Sequence, residues 1–261
     1  MKSLLHARLF TLRVGLYQFN PGIISTIVTG GLLYVMLWMG AWQWEKGEYR
    51  KHLEQTVAAR KDLAPVDWAS LPDNPELWKY LPVKLQGRFD SDRQFLHDNR
   101  IVKGRSGYNV YTPFISNNGD VLLVNRGWVP LGRTRQDLPN IDVTGQLVSI
   151  VGLVDAIPEK GVVLADNLHQ GNRWPVVLQY LDIEEIGAMS GYNLQDKIVW
   201  LKPGSDHGYY REYPSADLQS AKNAGYAFQW LAMSIALLII YIVVNTHKTN
   251  KQLPQDPTGN T

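Results

Sequence analysis

Apolar positions gather in two blocks, Ile23 to about Trp42 and Ala224 to about Val244, separated by roughly 180 residues of mixed pattern. Each block is about 20 residues long, the length that crosses a bilayer's hydrocarbon as an α-helix. Two transmembrane helices are therefore predicted, at 23–44 and 223–244, with 1–22 and 245–261 as tails on one side of the membrane. The first block starts late and runs into "WQWEK" rather than small residues, so an uncleaved anchor is expected rather than a signal peptide. The intervening 45–222 is long enough for one domain with its own core.

Within that domain the polar pattern changes twice. Glu45 to Arg60 has helix-forming composition and mixed charge, the pattern of a polar stalk that continues the first helix. Pro65, Pro72, Pro75 and Pro82 end it. Short runs rich in β-branched and aromatic residues follow: "VKLQGRF", "QFLHD", "YNVYTPFI", "VLLVNRGWV", "QLVSIVGLV" and "KIVWLKP". In "YTPFISNNGDVLLVNRGW" the pair Asn118-Gly119 predicts a two-residue type I′ hairpin turn. That register sets Pro113 against Val124 at a hydrogen-bonded pair, where proline has no N–H to give, so a bulge, break or exposed edge is expected near Pro113. A helix is predicted around Gln179 to Met189. The fold class expected is an α+β, mainly antiparallel β, barrel-like domain flanked by two transmembrane helices.

Composition narrows the function. The net charge of +2 and the lack of a concentrated basic stripe argue against nucleic acid. With no cysteine, disulfides, thiolate metal sites and cysteine nucleophiles are excluded. None of the six histidines has the spacing of a zinc or haem-attachment motif. His97 stands beside Asp98, but no nucleophile motif accompanies the pair, and its plainer reading is a strand-end histidine satisfied by a neighbour. No catalytic residue and no metal site is assigned, and an enzyme is not expected. In "VNRGWVP", Arg126 and Trp128 fall on one face of a strand. There they can stack guanidinium on indole, present a charge beside a flat surface to a partner, or reflect an arginine paired with a carboxylate. Lysines and arginines flank both ends of the first span, so charge alone leaves orientation open.

Taken in order, "GAWQWEKGEYRK", "GRF", "GYNVYTPF", "VLLVNRGWVP" and "YAFQW" opening the last span make the chain similar to the surfeit locus protein 1 family of cytochrome c oxidase assembly factors, over nearly its whole length. The resemblance implies a non-enzymatic, bacterial-type inner-membrane protein with cytoplasmic termini and a periplasmic domain. Its implied role is to assist haem a insertion into, or maturation of, oxidase subunit I. The implied partners are subunit I, other assembly factors and membrane lipid. The alternative is a membrane-anchored periplasmic scaffold domain that binds no cofactor.

The candidate site is the mouth of the second helix, "NAGYAFQW", together with the end of the first. Family members usually carry a histidine three residues before the tyrosine, and this chain has Asn223 there. An asparagine amide is a feeble iron ligand beside an imidazole, so any haem here is expected to be weakly held or absent. Asn223, Tyr226 and Trp230 follow i, i+3, i+7 spacing and are predicted to share a helical face. Trp42 and Gln43 end the first span at the same membrane side. An interfacial aromatic belt accounts for Trp42 and Tyr226 without a ligand. It accounts less well for Gln43 and Gln229, whose amides near hydrocarbon require partners.

Overall fold

A computed structural model describes residues 8–158, 160, 173–211 and 220–249. The chain forms two compact units, one from Met1–His52 with Gln219–Thr261 and one from Leu53–Leu218.

The first unit holds two long helices and a small sheet. Helix α1 runs unbroken over Ile23–Arg60, and helix α4 covers Ser220–Val244. Both are long and apolar enough to cross a membrane, and their most apolar windows are 0% and 11% buried by protein. Apolar side chains left outward along so much helix fit a hydrocarbon surround. Nothing breaks α1 where the apolar run gives way to "EKGEYRK", because that segment is itself helix-forming. A three-stranded antiparallel sheet of β1 (Leu12–Val14), β2 (Tyr17–Phe19) and β11 (Thr246–Lys248) stands at the other end of the pair. The sequence pattern did not predict it, since three-residue strands carry almost no periodicity. The tail expected at 245–261 is described only as far as Thr249.

The second unit is the predicted mainly antiparallel β domain. Strands β4 (Pro82–Phe89), β8 (Val148–Ala156), β10 (Leu194–Leu201), β7 (Val121–Pro130) and β6 (Arg105–Ser116) pair in that order, and β6 returns to β4, closing a five-stranded barrel. Only the β10 and β7 pair in this ring is parallel. Strands β3 (Val66–Asp67), β5 (Phe95–Val102) and β9 (Val176–Leu178) extend the sheet beyond the ring. One core cluster holds Val83, Leu85 and Phe89 of β4 with Leu122 and Val124 of β7 and Val199 and Leu201 of β10. The alternation of these residues marks them as the barrel's inner face. Leu123 lies on the opposite face of β7, in a second cluster with Ile186 of the short helix α3 (Ile183–Ser190). Burial on both faces explains the unbroken apolar run "VLLV". Helix α3 starts later than the sequence pattern suggests, because Asp182 caps it by accepting from the N–H groups of Glu184 and Glu185.

The hairpin turn differs from the two-residue form. Ile115 pairs with Val121, Ser116 N–H donates to Asp120 O, and Gly119 N–H donates to Ser116 O. Asn117, Asn118 and Gly119 thus make a three-residue loop in which only Gly119 takes positive φ, at 89°. The longer loop moves Pro113 opposite Leu123. The expected break is found on the strand's other side: Pro113 O accepts from Asp90 N where β6 changes partner from β5 to β4. The missing N–H falls in that handover.

Candidate functional site

The mouth of the helix pair is built on close packing. A Cβ placed on Gly47 would lie 3.3 Å from Asn223 Cβ, and one on Gly40 would lie 3.4 Å from Trp230 Cβ. Glycine on α1 therefore lets α4 approach at two levels two turns apart. On α4 the buried residues are Asn223, Ala227 and Ser234, a 4-then-7 spacing that keeps one stripe against α1. Asn223 is 6% exposed. Among the described residues its Nδ2 has no hydrogen-bond partner, and neither does Oε1 of half-buried Gln43, one helical turn before Gly47.

The predicted set separates into two groups. Asn223, Trp230 and Gln43 turn toward the helix contact, whereas Tyr226 is 52% exposed, Trp42 is 44% exposed and Gln229 is exposed. At about 100° per residue, Tyr226 lies about 60° off the Asn223 direction and Gln229 about 120° off. The shared face predicted for Asn223, Tyr226 and Trp230 is thus an edge that Tyr226 flanks. Trp42 is two residues from Gly40 and points away from the contact, with Lys46 Nζ 4.9 Å from its ring centre. Trp42 has the placement of an interfacial indole.

In the β domain, Arg126 and Trp128 have different fates. Arg126 is 1% exposed, with a bulge between its neighbours: Asn125 pairs with Tyr111 and Gly127 with Val110. Its guanidinium donates to Gln94 Oε1 at 2.7 Å, His207 O at 2.7 Å, Ile141 O at 2.9 Å and Asp142 O at 3.2 Å. It stacks over Tyr209 and Phe89 at 5.0 and 5.7 Å, not over Trp128. Burial lowers its pKa from the ordinary arginine value. Carbonyl and amide oxygens take the place of a paired carboxylate. Trp128 is half-buried, and its Nε1 donates to Arg100 O at 3.0 Å. Only the indole of the pair reaches the surface.

A sequence profile described as SURF1 family matches residues 31–235. The chain belongs to the SURF1 family. The SURF1 match takes in Trp42, Gln43, Arg126, Trp128, Asn223, Tyr226, Gln229 and Trp230. Similar proteins include a SURF1-like protein of Rickettsia bellii, 23% identical over 84% of this chain and 90% of its own length. Surfeit locus protein 1 of Gallus gallus is 26% identical over 62% of this chain and 57% of its own. A SURF1-like protein of Monosiga brevicollis is 29% identical over 56% of this chain and 62% of its own. The chain thus spans a little over half the length of the Gallus gallus and Mus musculus relatives it matches.

At the mouth of the helix pair this SURF1 chain presents two amides, Gln43 and Asn223, which are poor iron donors beside an imidazole. The position where an imidazole would be sought holds a carboxamide whose Cβ packs toward Gly47. No cluster of three His, Cys, Asp or Glu residues suited to a metal occurs among the described residues. His97 is buried on β5, with both ring nitrogens within 3.2 Å of Arg100 Nη2. Burial first, then the Arg100 charge, pushes its pKa down to about 3. Asp98 faces elsewhere, paired with Arg135. His6 and His169 lie outside the described residues. Sequence reasoning missed Gly47 and Ala227, although a small residue seven after Gly40 was a signal for close helix approach.

Proposed function

We propose that this protein is a membrane-bound assembly factor for cytochrome c oxidase that assists maturation of subunit I. The family resemblance supplies the oxidase. The observation that carries the proposed mode of action is the pair of buried, unpartnered amide atoms, Gln43 Oε1 and Asn223 Nδ2, on neighbouring helices at one membrane-level mouth. A buried polar atom without a partner costs about 1–3 kcal/mol, so a binding event that supplies the partner recovers that cost. Exposed Tyr226 and Trp42 beside them offer aromatic surface to a helix of subunit I. The role is non-catalytic: the mouth binds and holds an intermediate. Asn223 makes haem a at this point weakly held or absent.

The test is a strain lacking the protein, complemented with the parent chain or with Gln43→Leu/Asn223→Leu. Membranes with the parent should regain a-type haem absorbance, and tagged parent should capture subunit I in detergent. The double variant should accumulate normally yet lose both. Full oxidase assembly without the protein would overturn the function. For the cofactor, Asn223→His is expected to acquire a low-spin haem spectrum that the purified parent lacks.

We further infer that both termini are cytoplasmic and the β domain periplasmic in a bacterial inner membrane. Alkaline phosphatase fused at Gly119 should be active. A folded but inactive fusion would reverse the orientation.

A further inference from the structure

At the end of the helix pair away from the mouth, the three-stranded sheet is tied to both helices. Asn20 N–H donates to Asn245 O at 2.8 Å, Gly22 N–H reaches Asn245 Oδ1 at 3.4 Å, and Thr249 N–H donates to Leu16 O at 2.8 Å. Central strand β2 leads into α1, β11 continues from α4, and β1 is the outer strand. Directly opposed residues share a face. Leu12 pairs with Phe19 and Val14 with Tyr17, so these four apolar side chains form one face, joined by Thr246 and Lys248 of β11. Arg13, Gln18 and His247 form the other.

Aromatic packing fixes which way the faces point. The Phe19 ring lies 5.9 Å from the Tyr241 ring in an edge-on contact, and Tyr241 is on α4 one turn before Asn245. Its hydroxyl is 2.7 Å from Thr26 Oγ1 on α1. The Phe19 face is therefore turned back along the helix shafts and the Arg13 face away from them. Yet Leu12, Val14 and Tyr17 on the shaft side are 55%, 69% and 58% exposed, with Leu9, Phe10 and Leu16 around them at least half exposed. Among the described residues nothing covers this apolar surface, and the helices it adjoins are those whose outward residues fit hydrocarbon.

We propose that the β1–β2–β11 sheet is an interfacial membrane cap. Its apolar face rests on the acyl-chain boundary of the bilayer that the helices span, and its Arg13, Gln18 and His247 face meets water and headgroups. The partner is the lipid surface itself. Arg13 and His247 lie at headgroup level, and Lys248 has a stem long enough to carry its ammonium there from the apolar face. Arg8, at a bridge to Gly22, adds a further cation beside the sheet. Three cations, Arg8, Arg13 and Lys248, in or beside so small a sheet favour acidic phospholipid.

The inference rests on the helices spanning, and one experiment separates the two. The chain has no cysteine, so Val14→Cys, Arg13→Cys and Ile235→Cys each give a unique site for an environment-sensitive fluorophore. The full-length protein is reconstituted into phosphatidylcholine–phosphatidylglycerol vesicles. The lipids carry bromine near the top or near the end of the acyl chain, and iodide is present on both sides. The Ile235 probe should be quenched by deep bromine and shielded from iodide. The Val14 probe should be quenched by shallow bromine at least about twofold more than the Arg13 probe, which iodide should reach freely. If Ile235 keeps its deep quenching while Val14 is as open to iodide as Arg13, the cap is overturned and the span stands. Loss of deep quenching at Ile235 would overturn the span and the cap together.

Discussion

Two asparagines stand at the two ends of α4, and they have opposite surroundings. Asn245 is 8% exposed and its polar atoms are used: Nδ2 donates to Tyr241 O at 2.8 Å, Oδ1 faces Gly22 N–H, and its carbonyl accepts from Asn20. Asn223 is 6% exposed and its Nδ2 has no partner among the described residues. The same side chain thus closes one end of the helix pair and leaves the other with bonding capacity to spare. A satisfied buried amide fixes a structure; an unsatisfied one costs stability until something binds it. Arg126 belongs with Asn245, because each of its nitrogens donates inside the domain.

The largest test of that division is Arg126→Met. It removes the donor to the carbonyls of His207, Ile141 and Asp142 in a dry setting, while Gln94 Oε1 keeps only the Thr112 hydroxyl. By analogy with one-sided removal of a buried charged partner, a loss of about 3–5 kcal/mol is expected. Arg126→Lys should lose less, about 2 kcal/mol, since one ammonium cannot span the fork. Urea unfolding of the detergent-solubilised chain, followed by near-ultraviolet circular dichroism, measures both. A change under about 1 kcal/mol in Arg126→Met, within the range of ordinary point substitutions, would show that the network is not structural.

A pH experiment comes next, because two buried titratable groups of the domain pull in opposite directions. His97 has its folded pKa near 3, below the unfolded 6.5, so its contribution is full above pH 6.5 and is lost as pH falls toward 3. Asp155 is raised to about 6 from 3.8, chiefly by burial against a smaller opposing pull from Lys79. Its contribution is full below pH 3.8 and is lost as pH rises through 6. Between pH 6.5 and 4 the His97 loss is about 3 kcal/mol and the opposing Asp155 gain about 2 kcal/mol, so the parent should change much less than a variant lacking Asp155. Asp155→Asn should expose the His97 loss, giving a fall of about 3 kcal/mol over that range. His97→Gln should instead become more stable as pH drops. Parallel profiles for the two variants would refute the assignment.

What could be read from the sequence follows from how far each signal reaches along the chain. Both long helices and the six longer strands of the domain show in local periodicity, because each carries its own apolar face. The hairpin was visible in Asn118-Gly119, but not its length, since Gly119 alone needs positive φ and the register depends on Asn117 as well. β1 and β2 were invisible because three-residue strands carry almost no periodicity, and β11 also because it pairs with β2 across more than 220 residues of sequence. At the mouth, spacing put Asn223, Tyr226 and Trp230 on one face, whereas Tyr226 is exposed beside the α1 contact, because residues at i and i+3 stand about 60° apart around a helix. The Arg126 network could not be read: three of its acceptors are carbonyls at 141, 142 and 207, which carry no side-chain signature, and the fourth, Gln94 Oε1, lies 32 residues away.

The remaining pair of substitutions acts on the two asparagines themselves. Asn245→Leu removes the acceptor facing Gly22 and the donor to Tyr241, and should cost about 1 kcal/mol in detergent, near the middle of what helix-linking hydrogen bonds contribute. Asn223→Leu has the smallest expected effect on stability. The side-chain volume is similar, the lost Nδ2 was bonded to nothing, and an apolar group no longer needs a partner in a dry contact. Its melting temperature should therefore stay level or rise, equivalent to a few tenths of a kcal/mol. If the spare capacity at the mouth serves recognition, this unaffected or steadier protein should nonetheless capture less oxidase subunit I than Asn245→Leu does. The opposite ranking, with Asn223→Leu unfolding early and Asn245→Leu unchanged, would mean that Asn223 is the structural amide and that the partner surface must be sought on another part of the chain.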